Sequence, residues 1–249
     1  MVASGGVALV TGASRGLGAV IARRLAADGW AVAVNDLPRI EQAHHVRDDI
    51  RARGGVAEVF AADVTDETAV TDLVAHITDR LGPVDVLVIN ATGPQPVVAI
   101  EDLTWQAHLD QLLFFVKSPT LLLRAVLPDM KAKKGGRVIQ IGSDMFERAL
   151  PGMSAYVAAK GAQLGLTRSW ARELGPFGIT VNLVAPGWIP VERHAGATAD
   201  DLSDYLTDVP LGRMGDPEDV AATVSFLASD AAGFLTGERI TVNGGHTID

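Results

Sequence analysis

The 249-residue chain contains no cysteine, which excludes disulfides, thiolate metal sites and a thiol nucleophile while leaving the redox compartment open. It is short of basic residues: 21 Lys and Arg stand against 30 Asp and Glu, a formal charge of −9, so a general electrostatic grip on nucleic acid is not expected. Long hydrophobic runs are missing too. The longest, Leu112-Leu113-Phe114-Phe115-Val116, stops at Lys117, well below the roughly 18–20 residues that cross a bilayer. Met1 to Gly6 is uncharged and Gly-rich, without the basic start and apolar core of a secretory signal. A cytoplasmic protein that binds neither nucleic acid nor membrane is expected. Nor is there an internal repeat or linker, and 48% hydrophobic with 20% charged residues is a globular composition.

What the chain does have is alternation. Short Val- and Ile-rich runs at Val7–Thr11, Ala31–Asp36, Ala57–Ala61, Asp85–Asn90, Arg137–Ser143, Thr180–Ala185 and Arg239–Asn243 read as strands. Several are apolar throughout, as strands covered on both faces must be. Between them, Leu17–Ala27, Ile40–Arg53, Glu67–Arg80, Thr104–Lys133, Ser154–Leu174 and Pro217–Ala228 carry helical patterns, the last with Asp216 as N-cap and Pro217 in its first turn. Strand–helix alternation predicts an α/β fold: a doubly wound parallel sheet of about seven strands, with helices on both faces. Residues 1–249 form one domain in this reading. Gly187 to Gly215 breaks the alternation after a strand's carboxyl end, so about 187–215 is expected to be a substrate lid.

Thr11-Gly12-Ala13-Ser14-Arg15-Gly16-Leu17-Gly18 follows the first strand and opens the first helix. Glycines there let the backbone approach a pyrophosphate, whose charge meets the N–H groups of the helix start. Gly12, Ser14, Arg15, Gly16, Leu17 and Gly18 are therefore cofactor-binding candidates; at another place in the chain the same glycines would be read as a simple turn. Asp36 ends the second strand, where a carboxylate accepts hydrogen bonds from an adenosine ribose diol and repels a 2′-phosphate. That predicts NAD over NADP, against two considerations: Arg15 could hold a 2′-phosphate, and Asp36 could be a turn residue before Leu37-Pro38. Asp63 either caps the adenine amino group, with Val64 beside the ring, or merely caps its own loop.

Tyr156 and Lys160, four residues apart, share one helix face, and Ser143 lies 13 residues before Tyr156 at a strand end. Carbonyl–alcohol interconversion needs a proton donor near neutral pH, whereas free tyrosine titrates near 10. A neighbouring ammonium and an oxidised nicotinamide stabilise the phenolate. With the glycine loop and these three residues, the chain resembles the short-chain dehydrogenase/reductase family, most closely its 3-oxoacyl-[acyl-carrier-protein] reductase-like branch. The likeness runs from the glycine loop through Pro186-Gly187 to Leu235-Thr236-Gly237 and Val242-Asn243-Gly244-Gly245. It implies a Rossmann-type fold, Tyr156 as acid/base, Lys160 as ribose ligand and tuner of Tyr156, and Ser143 as orienter of the substrate carbonyl. It also implies cofactor contacts from Asn90, Ala91, Pro186, Gly187 and Ile189.

Three positions depart from the family pattern. Where relatives read Asn-Asn-Ala-Gly, this chain has Ile89-Asn90-Ala91-Thr92, with Gly93 one place late. Counting 28 residues back from Ser143 puts Phe115 where the family has a helix asparagine that supports a proton relay. Gln111, one turn earlier, is a possible polar substitute, and core packing is the plainer reading of Phe115. Val191 replaces a threonine that touches the carboxamide. Turnover and the proton relay are more affected by these changes than cofactor binding.

Gly93–Pro96, Asp144-Met145-Phe146, Met153 and Trp188 are expected to face a small or medium hydrophobic carbonyl substrate. Arg193 and His194 could receive an acidic group or simply be solvated. No His spacing suggests a metal site. Apolar patterning on Thr104–Lys133 and Ser154–Leu174, with small residues Ala158, Ala159, Gly161, Ala162 and Gly165, suggests a homotetramer or homodimer. The expected function is an oxidoreductase; the alternatives are an NAD-binding protein with little turnover, or dehydration or epimerisation at the same site.

Overall fold

A computed structural model of the chain describes residues 5–37, 41–192, 196 and 198–248. Seven strands, β1 (Val7–Val10), β2 (Ala31–Asp36), β3 (Val56–Ala61), β4 (Val84–Ile89), β5 (Gly136–Ile141), β6 (Ile179–Pro186) and β7 (Arg239–Val242), form one parallel sheet in the order β3-β2-β1-β4-β5-β6-β7. Each boundary falls within two residues of its sequence expectation. Because side chains alternate along a strand, Ala8 and Val10 enter one core while Val7 and Leu9 enter the other. The first core is closed by α1 (Gly16–Ala27), α2 (Glu41–Ala52) and α9 (Pro217–Ala228). The second is closed by α3 (Glu67–Arg80), α5 (Ser118–Lys133) and α7 (Ser154–Leu174). Two dry faces explain the all-apolar strand sequences.

The expected helix over 104–133 has internal structure. It runs as α4 (Trp105–Leu112), a π turn over Leu113–Lys117, and α5, with the Thr104 hydroxyl accepting the Ala107 N–H as N-cap. Read as contiguous runs, its sequence falls short of a membrane span. As one 29-residue helix, Trp105–Lys133 is long and apolar enough by length and composition. Leu121, Leu122, Leu123, Val126 and Met130 are nonetheless buried against the sheet, which makes it a core helix. Two short helices complete the site region, α6 (Met145–Arg148) and α8 (Ala199–Thr207).

Candidate active site

β1 has β2 on one side and β4 on the other, so the chain leaves the sheet in opposite directions after these strands. Such a switch point opens a crevice at the strands' carboxyl ends. Here it is a cavity of about 580 Å³, reached by residues from β1 through Glu192.

The glycine loop forms one end, and its glycines are there for space. Gly12 and Gly16 have φ of +63° and +53°, and a Cβ on Gly18 would come within 2.3 Å of the Gly12 carbonyl oxygen. Asn90 holds the loop to β4, its amide donating to the carbonyls of Thr11 (2.9 Å) and Gly12 (3.1 Å). In return, the buried Thr11 hydroxyl accepts the N–H groups of Asn90 and Ala91 at 3.0 and 3.1 Å. At the start of α1, the Gly16 N–H donates to the Glu192 carboxylate at 3.4 Å. The helix start is thus already turned toward a negative group, as a pyrophosphate would require.

Gly12, Arg15, Gly16, Leu17, Gly18, Asp36, Asp63, Val64, Asn90 and Ala91 all line this end. Ser14 is set differently. Its amide donates to Asp36 at 3.1 Å, while Leu37 N–H donates to the other Asp36 oxygen at 2.8 Å. The Asp36 carboxylate is therefore fixed in place by backbone. Asp63 caps its own loop through Thr65 N–H (2.8 Å) and the Thr65 hydroxyl (2.7 Å) while still facing the cavity.

Beyond Pro186, Gly187 and Ile189, the cavity is lined by Ser143, Tyr156 and Lys160. Gly187 is required for closeness, since a Cβ there would meet the Tyr205 hydroxyl at 2.5 Å. The Ser143 oxygen accepts the Met145 N–H at 3.1 Å, which leaves its own hydrogen to donate. Lys160, 5% exposed, donates to the Ile141 carbonyl (2.8 Å) and the Gln163 side-chain oxygen (3.1 Å). Its ammonium also lies 3.8 Å from the centroid of the Phe115 ring, and that ring meets Tyr156 edge-on at 5.5 Å. Phe115 therefore packs in the core, as its apolar neighbours suggest, and it also touches both catalytic candidates. The π turn that carries it persists without an asparagine. Gln111 does not reach this group; its amide holds the Pro94 carbonyl at 2.8 Å.

At the far end, Thr92, Gln95, Phe114, Met145, Met153 and Trp188 line the cavity, whereas Phe146 turns outward against Gly161. Gly93 passes close to Phe114, 2.3 Å from a Cβ built there, which accounts for the glycine following Thr92. Arg193 and His194 lie outside the described residues. Sequence reasoning missed Gln163, although its place three residues after Lys160 on one helix face was a readable signal. It also missed Arg148, which lines this end, and the burial of Asp144. Burial pushes the Asp144 carboxyl up, opposed by the Arg148 charge and a 3.3 Å hydrogen bond from Asn243. Burial likewise pushes the Tyr205 phenol up, while its oxygen accepts the Trp188 N–H at 2.9 Å.

Comparison with known proteins agrees with this geometry. A short-chain dehydrogenase family model described as enoyl-(acyl carrier protein) reductase matches residues 12–247. The chain is 40% identical to a 3-oxoacyl-[acyl-carrier-protein] reductase of Staphylococcus epidermidis, over 96% of this chain and 97% of that one. Among solved structures, a mutant short-chain dehydrogenase/reductase from Serratia marcescens superposes with a TM-score of 0.92 at 33% identity, covering 100% of both chains. A Burkholderia cenocepacia gluconate 5-dehydrogenase in complex with NADP and tartrate gives 0.91 at 30% identity, covering 97% of this chain and 95% of that one. The chain belongs to the short-chain dehydrogenase/reductase family and is an oxidoreductase that interconverts a secondary alcohol and a ketone by hydride transfer with a nicotinamide cofactor.

Proposed function

We propose that Tyr156 is the proton donor and acceptor of this reaction, that Ser143 orients the reacting oxygen, and that Lys160 holds the cofactor ribose and stabilises the Tyr156 phenolate. The observation that carries this is the joint placement of all three on one cavity wall with the Lys160 ammonium buried beside Tyr156. Pro186, Gly187 and Ile189 would hold the nicotinamide, which would supply the hydride in reduction and accept it in oxidation. In reduction, Ser143 donates a hydrogen bond to the carbonyl oxygen, Tyr156 passes its proton to that oxygen, and the phenolate regains a proton from solvent. Lys160, kept charged by two carbonyl-type acceptors and an aromatic face, offsets the phenolate charge. Replacing Tyr156 by Phe is expected to lower turnover about 10²–10⁴-fold while NADH or NADPH binding, read by nucleotide fluorescence, survives. Retained turnover would defeat the assignment, and a native enzyme that binds nucleotide but turns over no carbonyl would favour a sensor.

The proposal extends to the cofactor form, NAD(H), because Asp36 is a fixed carboxylate at the end of β2. The NADP bound by the gluconate 5-dehydrogenase relative supports the other form, with Arg15 as the 2′-phosphate ligand in that case. Asp36→Ala is expected to lower the NAD-over-NADP preference in kcat/KM at least about tenfold, the worth of one charge-assisted hydrogen bond. Unchanged selectivity would remove the argument.

The substrate is a small-molecule ketone or secondary alcohol that fits a largely apolar wall, and the named relatives make 3-oxoacyl thioesters the first compounds to assay. We read residues 1–249 as one cytoplasmic catalytic domain with a lid over 187–215, supported by Trp188, Ile189, Val191 and Glu192 on the cavity wall. We also read the chain as a homotetramer or homodimer.

A further inference from the structure

Around the neutral polar groups of Thr92 and Gln95, the substrate end of the cavity is largely apolar and carries one cation. Met145, Leu150, Met153 and Trp188 supply the wall, and Arg148 is the cation on it. Arg148 is the last residue of α6, the short helix that begins two residues after Ser143, and its N–H closes the turn on the Asp144 carbonyl at 3.1 Å. The guanidinium is half-buried and lies 5.2 Å from the centre of the Tyr205 ring, which gives the fork one flat support. Tyr205 is itself set edge-on to Trp188 and His246, at 5.4 and 4.5 Å. The cation therefore rests on a packed aromatic group and does not swing from a loop.

The buried Asp144 carboxylate feels the Arg148 charge but takes no hydrogen bond from the guanidinium. Among the described residues, the Arg148 guanidinium makes no hydrogen bond or ion pair, as holds for Arg15, Arg53, Arg168 and Arg172, whereas Arg23, Arg24, Arg47, Arg51, Arg80, Arg124, Arg137, Arg213 and Arg239 pair with carboxylates. The adjacent Glu147 is taken by Arg239. Asp144 is turned toward Asn243 and His246, at 3.3 and 3.8 Å, and is 2% exposed. The half-buried guanidinium thus faces the catalytic cavity with its hydrogen-bonding fork unused, the neighbouring Asp144 carboxylate acting on it only through space. The fork geometry of arginine matches a carboxylate or a phosphate, each through paired hydrogen bonds.

We propose that Arg148 is a specificity-determining residue that anchors an anionic group on the substrate, so that this enzyme acts on keto acids or their phosphate-bearing counterparts in preference to neutral ketones. This rests on the catalytic reading above and narrows it. The apolar wall holds the chain between the reacting carbonyl, at Ser143 and Tyr156, and the anion at Arg148. A carboxylate and a phosphate share this chemistry, and only substrates distinguish them.

The test uses matched pairs with the full-length enzyme and both nicotinamide cofactors. Acids of increasing length (3-oxobutanoate, 4-oxopentanoate, 5-oxohexanoate) are set against their methyl esters and a 3-oxobutanoyl thioester, and dihydroxyacetone phosphate against dihydroxyacetone. At least one acid or the phosphate is expected to exceed its neutral partner about 10- to 100-fold in kcat/KM, the range of a charge-assisted arginine contact. Arg148→Met should bring that ratio to about one, with the loss falling on KM, and Arg148→Lys should restore part of it. Neutral esters or the thioester used as well as every anionic partner would overturn the proposal, as would Arg148→Met lowering acid and ester alike. Calorimetric titration of the same acids into the protein with NAD, with Arg148→Met as comparison, decides the matter without turnover. Arg148-dependent binding with no turnover would defeat the catalytic reading and keep the anion site, whereas turnover with Arg148-independent binding would do the reverse.

Discussion

Phe115 is where one side chain changes the chemistry available to its neighbours. A buried ammonium needs either hydrogen-bond acceptors or negative electrostatic potential around it, and the face of a benzene ring supplies the second. Here Lys160 has two oxygen acceptors and the ring 3.8 Å from its nitrogen, so its charge is held without an asparagine on the long helix. The same ring braces Tyr156 edge-on, which links the phenol and the ammonium through one rigid group. Phe115→Leu keeps the volume nearly filled and removes the π face. A desolvated cation–π contact of about 0.5–2 kcal/mol corresponds to about a 2- to 30-fold loss in kcat/KM. With Lys160 less firmly held, the phenolate loses part of its stabilisation, so the alkaline rise of the alcohol-oxidation rate should move to higher pH. A uniform drop with an unmoved pH profile would assign Phe115 to packing alone.

Among the elements, α9 offers a test of how sequence signals translate into energy. Asp216 caps the helix, and Asp219 reaches back to the Asp216 N–H at 2.8 Å while taking both Arg213 nitrogens at 2.7 and 2.9 Å. The Arg213 hydrogen bonds lead in holding the Asp219 carboxyl at about 2, below the ordinary 3.8. A carboxyl depressed on folding stabilises the native state above its unfolded value and loses that contribution as pH falls toward its folded value. Asp219→Asn should therefore lower the melting temperature at pH 7 by about 2–4 °C, for a cap worth about 1 kcal/mol. The gap should narrow below about pH 4, and a gap independent of pH would mean that the charge contributes nothing. This capping signal was legible in Asp216-Pro217, as were the strands and most helix limits, because patterning and caps are local. The π turn at 113–117 was not legible, since an unbroken apolar helix pattern carries no mark of one inserted residue. The Lys160–Phe115 contact was hidden for a related reason. The count to Phe115 located the position, but what the ring faces is decided by how α7 packs across it.

At the scale of the whole molecule, alternation implied a parallel sheet covered on both faces, whereas the strand order and its switch-point crevice emerge only in the fold and the outer surface depends on what covers it. Trp105, Leu109 and Leu113 recur every four residues along α4 and its π turn and are 69, 38 and 37% exposed. α4 lies against α7, where Ala158 and Gly165 are exposed and a Cβ on Gly165 would meet nothing within 4 Å; Ala159, by contrast, faces inward. Apolar helix residues beside small ones form the kind of self-complementary face that two-fold pairing buries. Leu112 and Val157, on the same two helices, pack against the cluster of Phe115, Met153, Tyr156 and Ala159, so pairing over this face would also steady the helices that carry Tyr156. Light scattering after gel filtration should give two or four times the 26.1 kDa of one chain, and the melting temperature should rise with protein concentration. Leu109→Glu combined with Leu113→Glu should yield a smaller species whose melting no longer depends on concentration. Because both positions are exposed on the single chain, the charges cost the isolated fold little, and a loss of assembly and turnover together would report the interface. A wild-type chain that elutes at 26.1 kDa at all concentrations would leave Tyr156 to be held by its own helices alone.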